Sequence, residues 1–475
     1  MFDYNEFVSK SKSLLIAPAG YGKTHTVAEC LKYTDGKQLI LTHTHAGVAS
    51  LKEKIKKNNI SSDKFNVETI DSFAQKFVLA FYRGEDIPEQ ENSKEYFQFV
   101  TQKATYLVKL NPIKNVIKAS YKGIFVDEYQ DCTINQHRFM MALSNLLQIH
   151  ILGDPLQGIY GFSAEDRLVD WETDLREFDD FRFELTEAWR WKNKNSQLGS
   201  SLMEIREKLK NRENIDLSLY ETVIETLQII EHDIYSWDKQ YNREIRKLLN
   251  TATSLLIIHP DSQNIHARKK IIKTFQNRLY LVEAMDGKDF YELSKIFDTS
   301  NTESTYNKIH KVIYNIFNKS ELDKWFNNNG LKNKQKEADK KLIAPIKANL
   351  DSLNKRVCFG LVSKTLKQIK KLPSVKCYRK ELFSDLCRAL EQAEYQDIYV
   401  YEAMVNIKNM KRRIGRKIEG KCLGTTLLTK GLEFDTVAVL NAHKFTCPKN
   451  LYVALTRASK KLVVFTNNKN LMPYA

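Results

Sequence analysis

Two stretches of this chain carry residue types that can handle a phosphate. The first is Ala17-Pro18-Ala19-Gly20-Tyr21-Gly22-Lys23-Thr24. It follows the apolar run Leu14-Leu15-Ile16 and precedes a segment, Val27 to Tyr33, that can continue as helix. Strand, glycine-rich turn and helix make the context that a phosphate-binding loop requires. Gly20 and Gly22 let successive backbone N–H groups turn inward, and the start of the helix adds its positive end at the same point. Lys23 can reach the β- and γ-phosphates of a nucleotide, and the Thr24 hydroxyl can ligate Mg²⁺. Ala17 stands where the usual pattern has glycine, a small change. The second stretch is Asp127-Glu128-Tyr129-Gln130-Asp131, at the end of the apolar run Ile124-Phe125-Val126. There Asp127 can hold the metal through water, and Glu128 can orient and deprotonate an attacking water. The chemistry these residues suit is Mg²⁺-assisted hydrolysis of a nucleoside triphosphate.

The elements that must position them alternate. Gln38-Leu39-Ile40-Leu41 reads as a strand ending in Thr42-His43-Thr44-His45, and Val48, Leu51 and Ile55 recur at helical spacing after it. Val67 to Phe73 is another strand-to-loop junction, and His150-Ile151-Leu152 runs into Gly153-Asp154-Pro155-Leu156-Gln157-Gly158-Ile159-Tyr160-Gly161-Phe162. Strands alternating with helices predict a parallel α/β sheet, in which ligands gather at the carboxyl ends of the strands. His43 and His45, with no carboxylate companion, do not make a metal site. Further on, Leu255 to His259 and Leu281 to Met285 read as strands, as do Val437 to Leu440 and Lys461 to Phe465. Between them, Phe290 to about Tyr401 is mostly helical in pattern, with a polar stretch from Asn327 to Lys341 that reads as an exposed loop.

Composition narrows the partners. The 475 residues include 74 Lys and Arg against 58 Asp and Glu, a net charge of +16. That surplus suits a polyanion, most simply nucleic acid. Basic clusters at Lys367–Lys380 and Lys408–Lys417 can bind DNA phosphates, bind a partner, or simply be solvated helix faces. The seven cysteines are scattered and form no CxxC pair, so neither a disulfide framework nor a zinc site is indicated. The N-terminal residues lack the basic and apolar regions of a signal peptide, and no apolar run approaches the ~20 residues of a membrane helix. A cytoplasmic protein is expected.

Taken in order, these blocks resemble the motifs of superfamily 1 helicases of the UvrD/Rep/PcrA group. Motif I resembles Ala17–Thr24, motif Ia Thr42–Ala46, motif Ib Thr69–Phe73, motif II Asp127–Asp131, and motif III Gly153–Phe162. Leu185-Thr186-Glu187-Ala188-Trp189-Arg190 is similar to motif IV, Gly424–Asp435 to motif V, and Leu451–Ala458 to motif VI. The resemblance implies two RecA-like P-loop lobes with parallel sheets, plus reduced and mostly helical insertions. On that pattern the first lobe spans 1–192 with a small insertion at about 74–120. The second lobe begins at 193–289 and ends at 421–475, and 290–420 is an accessory region.

It also implies roles. ATP would lie between the lobes, with Mg²⁺ held by Thr24 and Asp127. Gln157 would sense the γ-phosphate, Arg190 and Arg457 would reach it as arginine fingers, Trp189 would stack on adenine, and Glu433 would hold the ribose. His43, Thr69, Tyr160, Phe162 and Thr425 would contact single-stranded DNA, the alternative for Phe162 being a core aromatic. Leu427 stands where motif V usually has His, and no Gln precedes motif I to read the adenine edge. The activity implied is a DNA-dependent ATPase translocating 3′→5′ on single-stranded DNA. The compact form and the wording of 425–437 further resemble the helicase-like subunits of Gabija anti-phage defence systems, which implies a Toprim nuclease partner of the OLD type. The alternatives are an ATPase that senses single strands or DNA ends and switches a nuclease, and a DNA repair helicase.

Overall fold

The protein is described by a computed structural model covering residues 2–474 apart from 91, 160–165, 230–239, 261–264, 276–277, 283–287, 300–303, 329, 415–417 and 419. The chain divides into two units, Met1–Pro88 with Lys94–Val282 and Arg412–Ala475, and Glu89–Ser93 with Glu283–Lys411.

The first unit is built on two sheets. Strands β1 (Lys12–Ile16), β2 (Gln38–Thr42), β3 (Phe65–Thr69), β4 (Gly123–Val126), β5 (Gln148–Gly153) and β6 (Arg182–Glu184) form a six-stranded sheet ordered β3-β2-β4-β5-β1-β6. Every pairing in it is parallel. Of its strands, β2 and β4 are buried along their whole length, which is why they appear in the sequence as apolar runs. A short strand β7 (Ile215–Asp216) follows, then β8 (Ile224–Gln228), β9 (Leu255–Ile258) and β10 (Tyr280–Leu281). After the hairpin strands β11 (Phe326–Asn327) and β12 (Gly330–Leu331) of the other unit come β13 (Lys421–Gly424), β14 (Phe434–Val439), β15 (Ala458–Thr466) and β16 (Asn470–Leu471). The second six-stranded sheet is ordered β10-β13-β9-β14-β15-β8, again parallel at every pairing. The fold class is therefore α/β with two parallel-sheet lobes.

The order places the chemistry. β1 lies between β5 and β6, so the loop after Ile16 emerges beside the end of β5. The pairing continues past the strands, with the Ala17 N–H donating to the Gly153 carbonyl at 2.9 Å. On the other side of β5, the N–H of Asp127 after β4 donates to Leu41 O at 2.8 Å. Ala17, Asp127 and Gly153 thus share one edge of the first lobe.

The second unit is helical. Its apolar core runs from Phe290 through Ile309, Trp325, Ile346, Leu366 and Leu386 to Ile407. The stretch read as an exposed loop, Asn327 to Lys341, instead contains the second strand of the hairpin and the start of the helix Glu337–Lys355. Tyr306 on the helix Thr305–Ile316 fastens the hairpin by donating from its hydroxyl to Gly330 O at 3.1 Å. A second correction concerns the basic clusters. Lys408 is wholly buried, donates to Asp385 at 2.9 Å, and lies 3.2 Å from the centre of the Phe290 ring. Lys411 adds a second cation to Asp385 at 2.6 Å. These two lysines neutralise a buried carboxylate and are not a phosphate-binding surface. Among the described residues no helix is long and apolar enough to cross a membrane.

One buried titratable group in the first sheet makes stability depend on pH. His150 on β5 sits against Phe7 and Phe125, with Nδ1 at 2.7 Å from the Ser13 hydroxyl. Burial lowers its pKa from 6.5 to about 3. As pH falls below 6.5 the unfolded chain takes up a proton there and the folded chain does not, so stability declines toward pH 3 and is unaffected above 6.5. At pH 5 the loss from this group is about 2 kcal/mol. His150→Asn cannot take the proton and should shrink the fall in unfolding free energy between pH 7.5 and 5 by that amount, as read by urea denaturation. An undiminished fall would assign the acid sensitivity elsewhere.

Candidate functional site

The phosphate loop is the turn between β1 and the helix Lys23–Cys30. Gly20 and Gly22 both adopt positive φ, +79° and +90°. Gly22 is the N-cap and no side chain caps the helix, so its first N–H groups are available to an anion. Lys23 is buried against its own loop, donating to Ala17 O at 3.1 Å, with the Glu128 carboxylate 3.9 Å away. Second-lobe and linker residues close on the same loop. The Ala19 N–H donates to the Tyr452 hydroxyl at 3.2 Å, and the Arg190 N–H donates to Gly20 O at 2.9 Å. The buried Trp191 ring covers Gly20 and is fixed by its own Nε1–H, which donates to Ala458 O at 2.8 Å.

The acid pair stands opposite. Glu128 takes a left-handed conformation, φ +60°, turning the chain so that its own N–H donates to the Asp127 carboxylate at 2.9 Å. Burial, and then the Glu128 charge beside it, raise the pKa of Asp127. Burial works against ionised Glu128 too, but Lys23, Lys430 and a hydrogen bond from Gln130 more than reverse it and hold its pKa low. Of the two, Glu128 is the carboxylate kept charged, which suits a base. A small cavity of about 20 Å³, room for one water, is bounded by Thr24, Thr42, Asp127, Glu128, Asp131 and Lys430. The Thr42 hydroxyl and one Asp131 oxygen are buried without a hydrogen-bond partner. Apart from Lys430, whose ammonium pairs with Asp131, the side chains named there present oxygens, a set that fits Mg²⁺, and Thr24 and Asp127 are the residues that would hold it. Among the described residues no cluster of three or more His, Cys, Asp or Glu could hold a metal alone, so remaining ligands would come from phosphate and water.

Two arginines complete the site from the far side. A cleft of about 870 Å³ is lined by Gly20, Lys23, Thr24 and Glu128 and also by Arg190, Glu433 and Arg457. Arg457 donates from Nη2 to Gln157 Oε1 at 3.2 Å, and from its other nitrogens to Val453 O at 2.9 Å and Leu432 O at 3.2 Å. Burial, and then nearby Arg190, lower its pKa to about 10, which leaves it charged at neutral pH. Arg190 donates to Glu433 at 3.1 Å, and Lys194 donates to the same carboxylate at 2.7 Å. Burial opposes the Glu433 charge, but these two cations keep its pKa low. Trp189 is 52% exposed, and its ring lies beside Gly22 at the lining of the cleft.

The remaining sequence-derived residues sit elsewhere. Thr69 and Thr425 are buried N-caps at the ends of β3 and β13, with hydroxyls accepting from the N–H of Ser72 and Leu428. His43 is half-buried with Nε2 3.3 Å from Cys132 Sγ. Tyr160 and Phe162 lie outside the described residues. Trp191, Lys430, Tyr452 and Lys54 were not singled out from sequence, although the first three lie in or beside the motif blocks. Lys54, on the helix His45–Lys57, lines the cleft and has its pKa lowered by burial and by Arg190.

Residues 4–163 match the family model of an AAA domain. A segment of 94 residues is 36% identical to part of an ATP-dependent helicase/nuclease of Lactococcus lactis subsp. lactis (strain IL1403), covering 19% of this chain and 8% of that protein. The exonuclease/helicase subunit RexA of L. lactis subsp. cremoris (strain MG1363) is 35% identical over 99 residues, 20% of this chain and 8% of its own. The chain thus spans only a small part of the length of the curated relatives it matches. Among solved structures, the Pif1 helicase from Candida albicans is similar across 99% of this chain and 95% of its own at 12% identity, with a TM-score of 0.41. What this chain shares with those proteins is therefore an AAA domain over 4–163 and one short segment similar to part of helicase/nuclease subunits.

The packing at Gly20 can be tested directly. A Cβ there would lie 2.5 Å from the Trp191 ring on a backbone of φ +79°. Gly20→Ala should cost roughly 2 kcal/mol of stability from strain and overpacking and weaken nucleotide binding. Adding Trp191→Leu should return part of the stability but not the backbone strain. A Gly20→Ala protein that melts at the native temperature would mean that the ring does not cover the loop.

Proposed function

We propose that this chain is a DNA-dependent ATPase of the superfamily 1 helicase kind, which couples ATP hydrolysis to 3′→5′ movement on single-stranded DNA. The observation that supports it most is the shared cleft: Lys23 and Glu128 of the first lobe line it together with Arg457 of the second. On this reading the loop amides and Lys23 bind the β- and γ-phosphates, and Glu128 takes the proton of the attacking water. Mg²⁺ on Thr24 and Asp127 would supply charge neutralisation on the phosphate oxygens. Arg190 and Arg457 exchange their present acceptors for the transferring phosphoryl group. Trp189 stacks on the base, and Glu433 holds the ribose. Because Gln157 bonds Arg457 and opens the segment that carries Tyr160 and Phe162, it is the residue that relays the state of the phosphate toward the strand. The net charge of +16 supports a polyanionic track.

A second reading is an ATPase that senses single strands or DNA ends and switches a nuclease, as in anti-phage defence. What favours it is that the names of both matched relatives join helicase and nuclease. Measuring ATP turnover with no nucleic acid, single strands, duplex ends and closed circles separates the cases. Single strands are expected to stimulate turnover about tenfold or more, and Lys23→Ala to lower it about 100-fold while leaving strand affinity within twofold. Turnover that survives Lys23→Ala would overturn the site, and turnover blind to every nucleic acid would overturn DNA dependence. Strand displacement by the chain alone favours the motor, whereas stimulation by ends without displacement favours the switch.

A further inference from the structure

A charged residue lies on the apolar face of a helix. The helix Ser196–Lys210 turns Leu198, Leu202, Ile205 and Leu209 into the core of the second lobe. Arg206 lies on that same side and is only 5% exposed. Burying a guanidinium is unfavourable unless it is paired. One Nη of Arg206 bonds the exposed Glu207 at 2.9 Å, its Nε has no partner, and the other Nη donates to Asp154 at 3.0 Å. Asp154 is itself 0% exposed and belongs to the first lobe, at the end of β5.

Every oxygen of Asp154 is committed. Oδ1 accepts from Arg206 and from the Leu156 N–H at 3.2 Å, and Oδ2 accepts from Gln157 Nε2 at 3.0 Å. The N–H of Asp154 donates to Gln130 Oε1 at 3.0 Å, and Gln130 in turn bonds Glu128. An ionised carboxylate can only accept, so the group of Gln157 that faces it must be the NH₂. The amide oxygen then points the other way, where Arg457 donates to it. A chain of alternating roles runs from Arg206 through Asp154 and Gln157 to Arg457.

We infer that Arg206 is a positioning residue for ATP turnover: by pairing with Asp154 it fixes which way the Gln157 amide faces, and so where Arg457 is held. The inference rests on the reading of the cleft as an ATPase site. Without Arg206 the buried carboxylate has no counter-cation, and the inexpensive relief is to take up a proton. A protonated carboxyl can donate, so the Gln157 amide can turn its oxygen to Asp154 and its NH₂ to Arg457, where donor meets donor. One sign of this is visible in the sequence, a cation at helical spacing among leucines; its partner is 52 residues away and reached only through the fold.

A double-mutant cycle tests it, because a merely structural role would not make two losses merge. The full chain is assayed for kcat and KM with ATP, Mg²⁺ and saturating single-stranded DNA. Arg206→Met should lower kcat about tenfold with KM for ATP within about twofold, and Arg206→Lys, which keeps the cation, should recover most of the loss. Gln157→Ala should also lower kcat, and adding Arg206→Met to it should lower kcat no further. Losses that multiply, a kcat for Arg206→Met within about twofold of native, or no recovery with lysine would each overturn the inference. Should Arg206→Met not fold, Asp154→Asn carries the same cycle: it is isosteric, no longer an obligate acceptor, and its loss should likewise vanish in the Gln157→Ala background. If Gln157→Ala keeps native kcat, the reading of the nucleotide site fails instead.

Discussion

Charge buried between the two sheets has to be neutralised across the boundary, and that constraint organises the site. Lys430 follows β13 of the second lobe and is 2% exposed; it donates to Asp131, 1% exposed, and to the carbonyl of Gln157, both of the first. Arg206 and Arg457 do the same toward Asp154 and Gln157. In each case the cation comes from one lobe and the acceptor from the other. The two ion pairs among them, Lys430 with Asp131 and Arg206 with Asp154, add little net stability, since desolvation offsets attraction. What they supply is specificity of position: a slid or rotated lobe would strand a charge out of water, which is far worse than an imperfect apolar contact. The interface therefore has one low-energy register, and an incoming anion competes for the cations that define it.

The phosphate loop feels that register directly. Tyr452 accepts from the N–H of Ala19, and Tyr452 lies on the helix Pro448–Leu455, just before Arg457. Trp191 lies on Gly20 and is tied by its indole N–H to Ala458, the residue after Arg457. Three contacts thus bind one short segment, 452–458, to the loop and to Gln157. A shift of that segment changes the shape of the loop and the position of the arginine together, so binding at one is felt at the other without any long relay.

What could be read from sequence follows from how local each determinant is. The central strands were legible because a strand buried on both faces is an apolar run, as in β2 and β4. Edge strands β6 and β8 were not, because one side faces solvent and the run breaks into Arg-Phe-Glu and Ile-Glu-Thr-Leu-Gln. The hairpin Phe326–Leu331 hid in a polar stretch because two residues per strand carry no periodicity. At the site, Lys23, Thr24, Asp127 and Glu128 were legible from spacing within one turn of chain. Lys430 and Arg206 acquire their meaning from acceptors 299 and 52 residues away, and no pattern within a helix or loop encodes that. Lys408 failed in the opposite direction: a basic cluster predicts exposure, and the fold used its first lysine to neutralise Asp385 instead.

The positive charges of this chain accordingly fall into two physical populations. Lys23, Arg206, Lys430 and Arg457 are buried, each with a named acceptor, and their fields act through a low dielectric over a few ångströms. Others, such as Lys364, Lys371, Lys376 and Lys380 on the helical unit, are exposed and act through water. Salt screens the second population within about 10 Å and leaves the first nearly untouched. On the proposed function, attraction of a nucleic acid and cleavage of a nucleotide would therefore draw on different charges of the same sign. The net surplus of +16 counts both populations alike, although only Arg206 and Lys430 among the buried cations face a carboxylate in these bonds, and Lys23 and Arg457 face neutral oxygens.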